Sequence, residues 1–195
     1  MSENITPEEF DVDAWILGAN LPEESAEIYM RADVVGNIQA LQRKITAANA
    51  VDAVDPERPA ASKSKTAKLV KEYENLLNVF SDSRATVFVR AIDPDKMAAL
   101  RHATEVRYEG KPPQEANAAF GYELLAESIV AIEDKSGVRK TARMNPTQLK
   151  KLESGIGPAQ LKSIMEARAR AQMAMPDVDA DFLLKLSGTN DDSQE

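Results

Sequence analysis

Two apolar stripes with helical spacing organise the first half of the chain. One is Val34, Ile38, Leu41 and Ile45; the other is Leu69, Tyr73, Leu76 and Phe80. Each steps by four, three and four residues, which lines one helix face and lets two helices pack along a common seam. Just outside them lie two short runs with strand character, Glu27-Ile28-Tyr29-Met30 and Thr86-Val87-Phe88-Val89. Residues 26–91 therefore read as strand, helix, helix, strand. The first helix is predicted from a cap at Asp33 to about Ala48, the second from about Thr66 to Ser81. Between them a linker is expected over 50–66, where Pro56 and Pro59 oppose regular helix and Ser62-Lys63-Ser64-Lys65 is polar. Such a linker lets the helices fold back antiparallel, bringing strands at 26–30 and 85–91 side by side at the base.

Residues 1–25 read as an irregular acidic segment, with Trp15, Ile16 and Leu17 as an apolar knot that anchors it. Asp93-Pro94 is a strong helix start, an N-cap followed by proline at the first helical position. That helix presents Met97, Leu100 and Ala103 or Thr104, and ends at Gly110-Lys111-Pro112-Pro113. A longer helix is predicted over Gln114–Ile132 with Phe120, Leu124, Leu125, Ile129 and Ile132 as its stripe, then a turn at Asp134–Gly137. Asn145-Pro146 starts a short helix carrying Leu149 and Leu152, Gly155-Ile156-Gly157-Pro158 breaks it, and a last helix carries Leu161, Ile164, Met165, Ala169 and Met173. Residues 93–175 thus read as a small helical bundle, and 177–195 as an acidic flexible tail with one apolar cluster, Phe182-Leu183-Leu184 and Leu186. The fold class expected is mainly α: a helical hairpin flanked by two short antiparallel strands, followed by that bundle.

Composition narrows what such a fold can do. The 195 residues are 43% hydrophobic but only 5% aromatic, so the core must be largely aliphatic. The absence of cysteine excludes disulfides, thiolate catalysis and zinc–thiolate sites. Met1–Phe10 carries three Glu and no Lys or Arg, the opposite of a secretory signal, and no apolar run has membrane-span length. The expectation is a soluble intracellular protein. The net charge of −8 is unevenly placed. Residues 1–30 hold eight acidic residues and no Lys or Arg, residues 135–172 hold nine Lys or Arg against two Glu, and residues 177–195 hold six acidic residues and one Lys. Solvated, solubilising ends are one reading of this pattern. The other is that the acidic tail covers the basic segment until a partner displaces it.

Reactive chemistry is sparse. His102, the only histidine, has Arg101 beside it and no ligand-spaced partner. No nucleophile elbow, phosphate loop or calcium loop occurs, and Gly155-Ile156-Gly157 lacks the third glycine of a dinucleotide motif. Glu8-Glu9 and Glu23-Glu24 have no hydrophobic pocket to raise a pKa. No enzyme activity, cofactor, catalytic residue or metal ligand is expected. The glycine break within the basic segment has a helix-turn-helix look, but no aromatic lies between Tyr122 and Phe182 to stack bases, and the helix after the break carries apolar or small residues where base-reading side chains belong. Nucleic-acid binding is disfavoured.

Four short segments, Asp13-Ala14-Trp15, Tyr29-Met30-Arg31-Ala32-Asp33, Val87-Phe88-Val89-Arg90-Ala91 and Asp179-Ala180-Asp181-Phe182, together resemble a tail assembly chaperone of long-tailed actinobacterial phages. The resemblance implies a non-enzymatic protein of the bacterial host cytoplasm. Such a protein binds the long helical tape measure protein, keeps it soluble during tail assembly, and corresponds to the shorter of two frameshift-related products. It also fits self-association. A holdase needs apolar grooves that exchange partners, and methionine suits them. The residues expected to contact a partner are Leu161, Met165, Met173, Phe182 and Leu183, although the methionines read first as core filler and the Phe182 cluster equally as a local anchor. Two further readings stay open: a structural virion protein such as a head–tail connector or minor tail component, and a small DNA-binding regulator.

Overall fold

A computed structural model of the chain describes residues 16–17, 19–54 and 60–174, with side chains of 52–64 left aside. These residues form four strands and six α-helices of eleven residues or more. Strand β1 (Glu23–Tyr29) leads through a 3-10 turn at Ala32–Val34 into helix α1 (Val35–Val54). Helix α2 (Ala60–Asp82) returns to strand β2 (Arg84–Arg90). Helices α3 (Pro94–Arg107) and α4 (Pro113–Ser128) follow, then strands β3 (Ile129–Asp134) and β4 (Arg139–Thr141), and finally helices α5 (Pro146–Ile156) and α6 (Pro158–Met173).

The mainly helical class and the strand–helix–helix–strand unit are present, with β1 and β2 paired antiparallel from Glu23↔Arg90 to Tyr29↔Arg84. The predicted linker is shorter than expected, because α1 reaches Val54 and α2 already begins at Ala60. Pro59 directly precedes α2, where a proline breaks no helical hydrogen bond, and the Ala- and Lys-rich run behind it has good helix propensity. Residues 55–59 lie outside the described set. Asp33 does not cap α1. It sits inside the 3-10 turn, and its carboxylate accepts two hydrogen bonds from the Arg31 guanidinium at 2.9 and 3.0 Å.

The helix predicted over 114–132 ends at Ser128, and residues 129–134 become β3. The sheet is consequently four-stranded, ordered β1-β2-β3-β4 and antiparallel throughout. Ile129 lies opposite Val89 and Ile132 opposite Val87, with a bulge between Phe88 and Val89. Alternation along each strand gives the sheet two different faces. Ala26, Ile28, Val87, Val89 and Ile129 turn inward against Leu125 of α4, Leu149 and Ile156 of α5, and Leu161, Ile164 and Ala167 of α6. A satellite core joins Ile92 to Phe120 and Leu124, with Met97 and Leu100 packed on it.

Helix α6 lies against β1 and β2 and is fastened at two points by glutamines. The Tyr29 amide donates to Gln160 Oε1 at 2.6 Å, and Gln160 Nε2 donates to the carbonyls of Tyr29 (3.1 Å) and Ile156 (2.8 Å). Farther along, the Ile92 amide donates to Gln172 Oε1 at 2.9 Å, and Gln172 Nε2 donates back to the Ile92 carbonyl at 3.1 Å. The start signals behave as expected. Asp93 Oδ1 accepts from the amides of Asp95 and Lys96, and Asn145 forms a reciprocal capping box with Gln148. Gly157 takes φ +84°, a left-handed value open to glycine, and so turns α5 into α6.

Candidate functional site

Two surface features carry the functional question: the α1/α2 arm and the open face of the sheet. The arm is about 30 Å long, since α1 alone has 20 residues. Its main contacts are between its own two helices and with the 3-10 turn at its root. At the neck, Tyr29 and Phe80 stack with centroids 4.2 Å apart and planes 7° from parallel. Ser83 closes the neck: its carbonyl accepts from the Met30 amide at 3.0 Å, its hydroxyl accepts from the Arg31 amide at 3.1 Å and donates to the Phe80 carbonyl at 2.6 Å.

Coverage of the two stripes is unequal. On the α1 side Val34, Ile38 and Leu41 are buried and Ile45 half-buried. On the α2 side Leu69, Tyr73, Leu76 and Phe80 are all only half-buried, and Leu77 and Val79 beside them are exposed, as is Val51 on α1. Among the described residues no third element covers the flanks of the arm, and this apolar surface is left exposed.

The outward face of the sheet is polar and cross-linked. Glu23, Glu27 and Tyr29 of β1 stand beside Arg84, Phe88 and Arg90 of β2. Glu23 Oε1 accepts from Arg90 Nε (2.9 Å) and Nη2 (2.5 Å), and its Oε2 accepts from Arg139 Nη2 at 2.5 Å. The Arg139 guanidinium lies 4.3 Å from the Phe88 ring centroid. Burial alone would raise the Glu23 pKa, but the hydrogen bonds and charges of Arg90 and Arg139 outweigh it and hold the carboxyl below its ordinary value. At the other end of the sheet, Asp134 accepts from the hydroxyl and the amide of Ser136 and from Lys140, which lower its pKa to about 2.

The basic segment 135–172 is dispersed by folding. Lys135, Arg139, Lys140, Lys162 and Arg170 are in ion pairs, and Lys150 lies over the Tyr122 ring. Arg143 has no carboxylate partner among the described residues and joins Arg90 and Arg139 around a depression of about 420 Å³.

Of the residues expected to meet a partner, Leu161, Met165 and Met173 are described, and they differ in exposure. Leu161 is buried at 2% exposure beneath the sheet, which corrects its assignment: α6 turns this position inward, and a contact residue must be reachable. Met165 is half-buried against the same core, while Met173 is 81% exposed at the last turn of α6. Phe182 and Leu183 lie outside the described residues, as do Trp15, Met175 and the whole 177–195 tail. Of the expected knot, Ile16 and Leu17 are exposed at 55% and 86%, and Trp15 is outside the described residues. His102 is exposed on α3.

Sequence reasoning missed Leu77, Val79 and Val51 on the arm and the Arg90–Arg139–Arg143 cluster. The first three flank the stripes already recognised. For the cluster the available signal was the alternation Arg139-x-Thr141-x-Arg143, which puts three side chains on one side of an extended chain. Among the described residues no three His, Asp or Glu side chains converge to hold a metal ion, and no helix is long and apolar enough to cross a membrane. Compared with protein-family models, curated proteins and solved structures, the chain matches none of them.

Proposed function

We propose that this chain is a non-catalytic phage tail assembly chaperone, acting in the cytoplasm of the bacterial host, that binds helical segments of the tape measure protein and keeps them soluble. One observation carries the reading: the projecting arm has an apolar stripe only half covered by its own two helices. An amphipathic partner helix laid along Leu69, Tyr73, Leu76 and Leu77 would complete a three-helix contact, as in helix-in-groove recognition. The same surface suits self-association, because two arms can cover each other. The resemblance noted in four segments of the sequence supplies the biological setting.

The test is co-expression with the neighbouring tape measure gene followed by pulldown. The expected result is a soluble complex that is lost in Leu77→Glu. A tape measure protein that stays in the insoluble fraction, with no complex formed, defeats the proposal. Finding the chain as a stoichiometric component of purified particles would favour the structural virion reading instead.

A further inference from the structure

The depression framed by Arg90, Arg139 and Arg143 is continuous with a second one of about 430 Å³ that is lined by Leu21, Ile92, Leu100, Ile129 and Met144; the two share Arg90, Val130 and Arg143. The result is one groove, basic at one end and apolar at the other. The basic end holds three guanidinium groups and a single opposing carboxylate, Glu23. The acids at the apolar end are already engaged: Asp93 caps α3, Glu123 pairs with Arg107 and Glu127 with Lys96. The groove therefore presents surplus positive charge beside an apolar lining, a match for a peptide that mixes carboxylates with apolar side chains.

Such a peptide begins next to the groove. Gln172 ties the last turn of α6 to Ile92, itself a lining residue. Three residues beyond Ala174 comes Asp177, then Asp179, Asp181 and Phe182-Leu183-Leu184. At about 3.3–3.6 Å per residue, Asp177 can reach roughly 10 Å from Ala174 and Phe182 nearly 30 Å. We propose that residues 177–184 dock in cis in this groove, with aspartate carboxylates on Arg139 and Arg143 and Phe182 in the apolar end. This inference is independent of the chaperone reading. It makes the groove a self-occupied site, open only to a ligand that displaces the tail.

Lys185 is the only Lys or Arg after Arg170, so tryptic cleavage there in the full chain reports on the tail. Docking slows that cleavage, whose rate scales with the undocked fraction. Arg143→Glu, which breaks no ion pair, is expected to speed cleavage by about fivefold or more. Replacing Asp177, Asp179 and Asp181 together by Asn should do the same. In a free peptide of residues 176–190, the Asn replacements should change the rate by less than about twofold, which separates docking from trypsin's own dislike of nearby acids. Circular dichroism confirms that each variant is folded. Equal rates in the wild-type chain and both variants overturn the proposal. Protection that disappears on dilution from about 100 to about 1 μM places the tail on a second copy, and overturns the assignment in cis.

Discussion

Gln160 supplies the most direct test of how α6 is held on the sheet. Its side-chain amide makes three hydrogen bonds, one accepted from the Tyr29 amide and two donated to the carbonyls of Tyr29 and Ile156. Gln160→Ala leaves all three backbone groups without that partner. Buried unsatisfied groups cost about 1–3 kcal/mol, and Tyr29 is half-buried, so partial access of water puts the expected loss at roughly 1–3 kcal/mol in total. For a chain of this size that is about 2–4 °C in Tm per kcal/mol. Gln160→Glu separates the two roles of the amide. At neutral pH the introduced carboxylate still accepts from the Tyr29 amide but repels the two carbonyls. Its protonated form can donate to one of them, so its folded-state pKa is raised. By linkage, the stability recovered through protonation is present below the unfolded pKa of about 4.3 and is lost as pH rises through the raised folded value. Urea unfolding at pH 7 and near pH 4, each against wild type, measures this. Gln160→Glu should be at least as damaging as Gln160→Ala at pH 7 and less damaging at the lower pH. If Gln160→Ala falls within about 0.5 kcal/mol of wild type, the glutamine fastening has no energetic weight and the account of α6 is wrong.

Leu149 is fully buried on α5, and Leu149→Ala should cost about 2–5 kcal/mol by chemical denaturation; a smaller loss would mean that the site collapses around the cavity. Gly157→Ala meets no atom within 4 Å, so its expected cost of about 1–3 kcal/mol is purely that of the positive φ, and an unchanged Tm would refute that origin. Asp134 and Glu23 are both easier to ionise in the folded chain than in the unfolded one. Their stabilisation is therefore complete above the ordinary carboxylate range and lost as pH falls through the lowered folded values, near about 2 for Asp134. Carboxyl-carbon NMR titration checks this, with Ser136→Ala expected to move the Asp134 midpoint upward and an ordinary midpoint in the wild-type chain contradicting it. Leu77→Glu should disturb partner capture without altering trypsin cleavage at Lys185, and a changed cleavage rate would show that arm and groove communicate.

The arm was legible because its signal is local. The four-three-four spacing of each stripe lies within a single helix or, for Val34, the turn that leads into it, and Asp93-Pro94 and Asn145-Pro146 are caps whose geometry is set within four residues. The third strand was hidden because Leu125, Ile129 and Ile132 continue a helical period with no glycine or proline between Leu125 and Ile132. What ends the helix is tertiary: a β-branched run gains more by lying beside β2, with Ile129 opposite Val89 and Ile132 opposite Val87. The cue that favours a strand is Ile129-Val130-Ala131-Ile132 followed by the turn Asp134-Lys135-Ser136-Gly137. The basic segment was visible as composition, but which of its cations find a carboxylate depends on acids brought close by folding, such as Glu23 for Arg139 and Asp82 for Lys135.

The arm and the groove sit at opposite ends of the same strand. β2 begins at Arg84, beside the neck where Tyr29 stacks on Phe80, and ends at Arg90, which lines the groove. Seven residues of strand put about 20 Å between them. Helix α6 bridges that span, holding Tyr29 at one end through Gln160 and Ile92 at the other through Gln172. Among the described residues the two surfaces are joined through β2 and α6, and the glutamines hold α6 to the sheet at both ends. A ligand seated on the arm would compete with a tail docked on Arg139 and Arg143 only if it were long enough to cross the sheet and carried acid and apolar side chains at its far end.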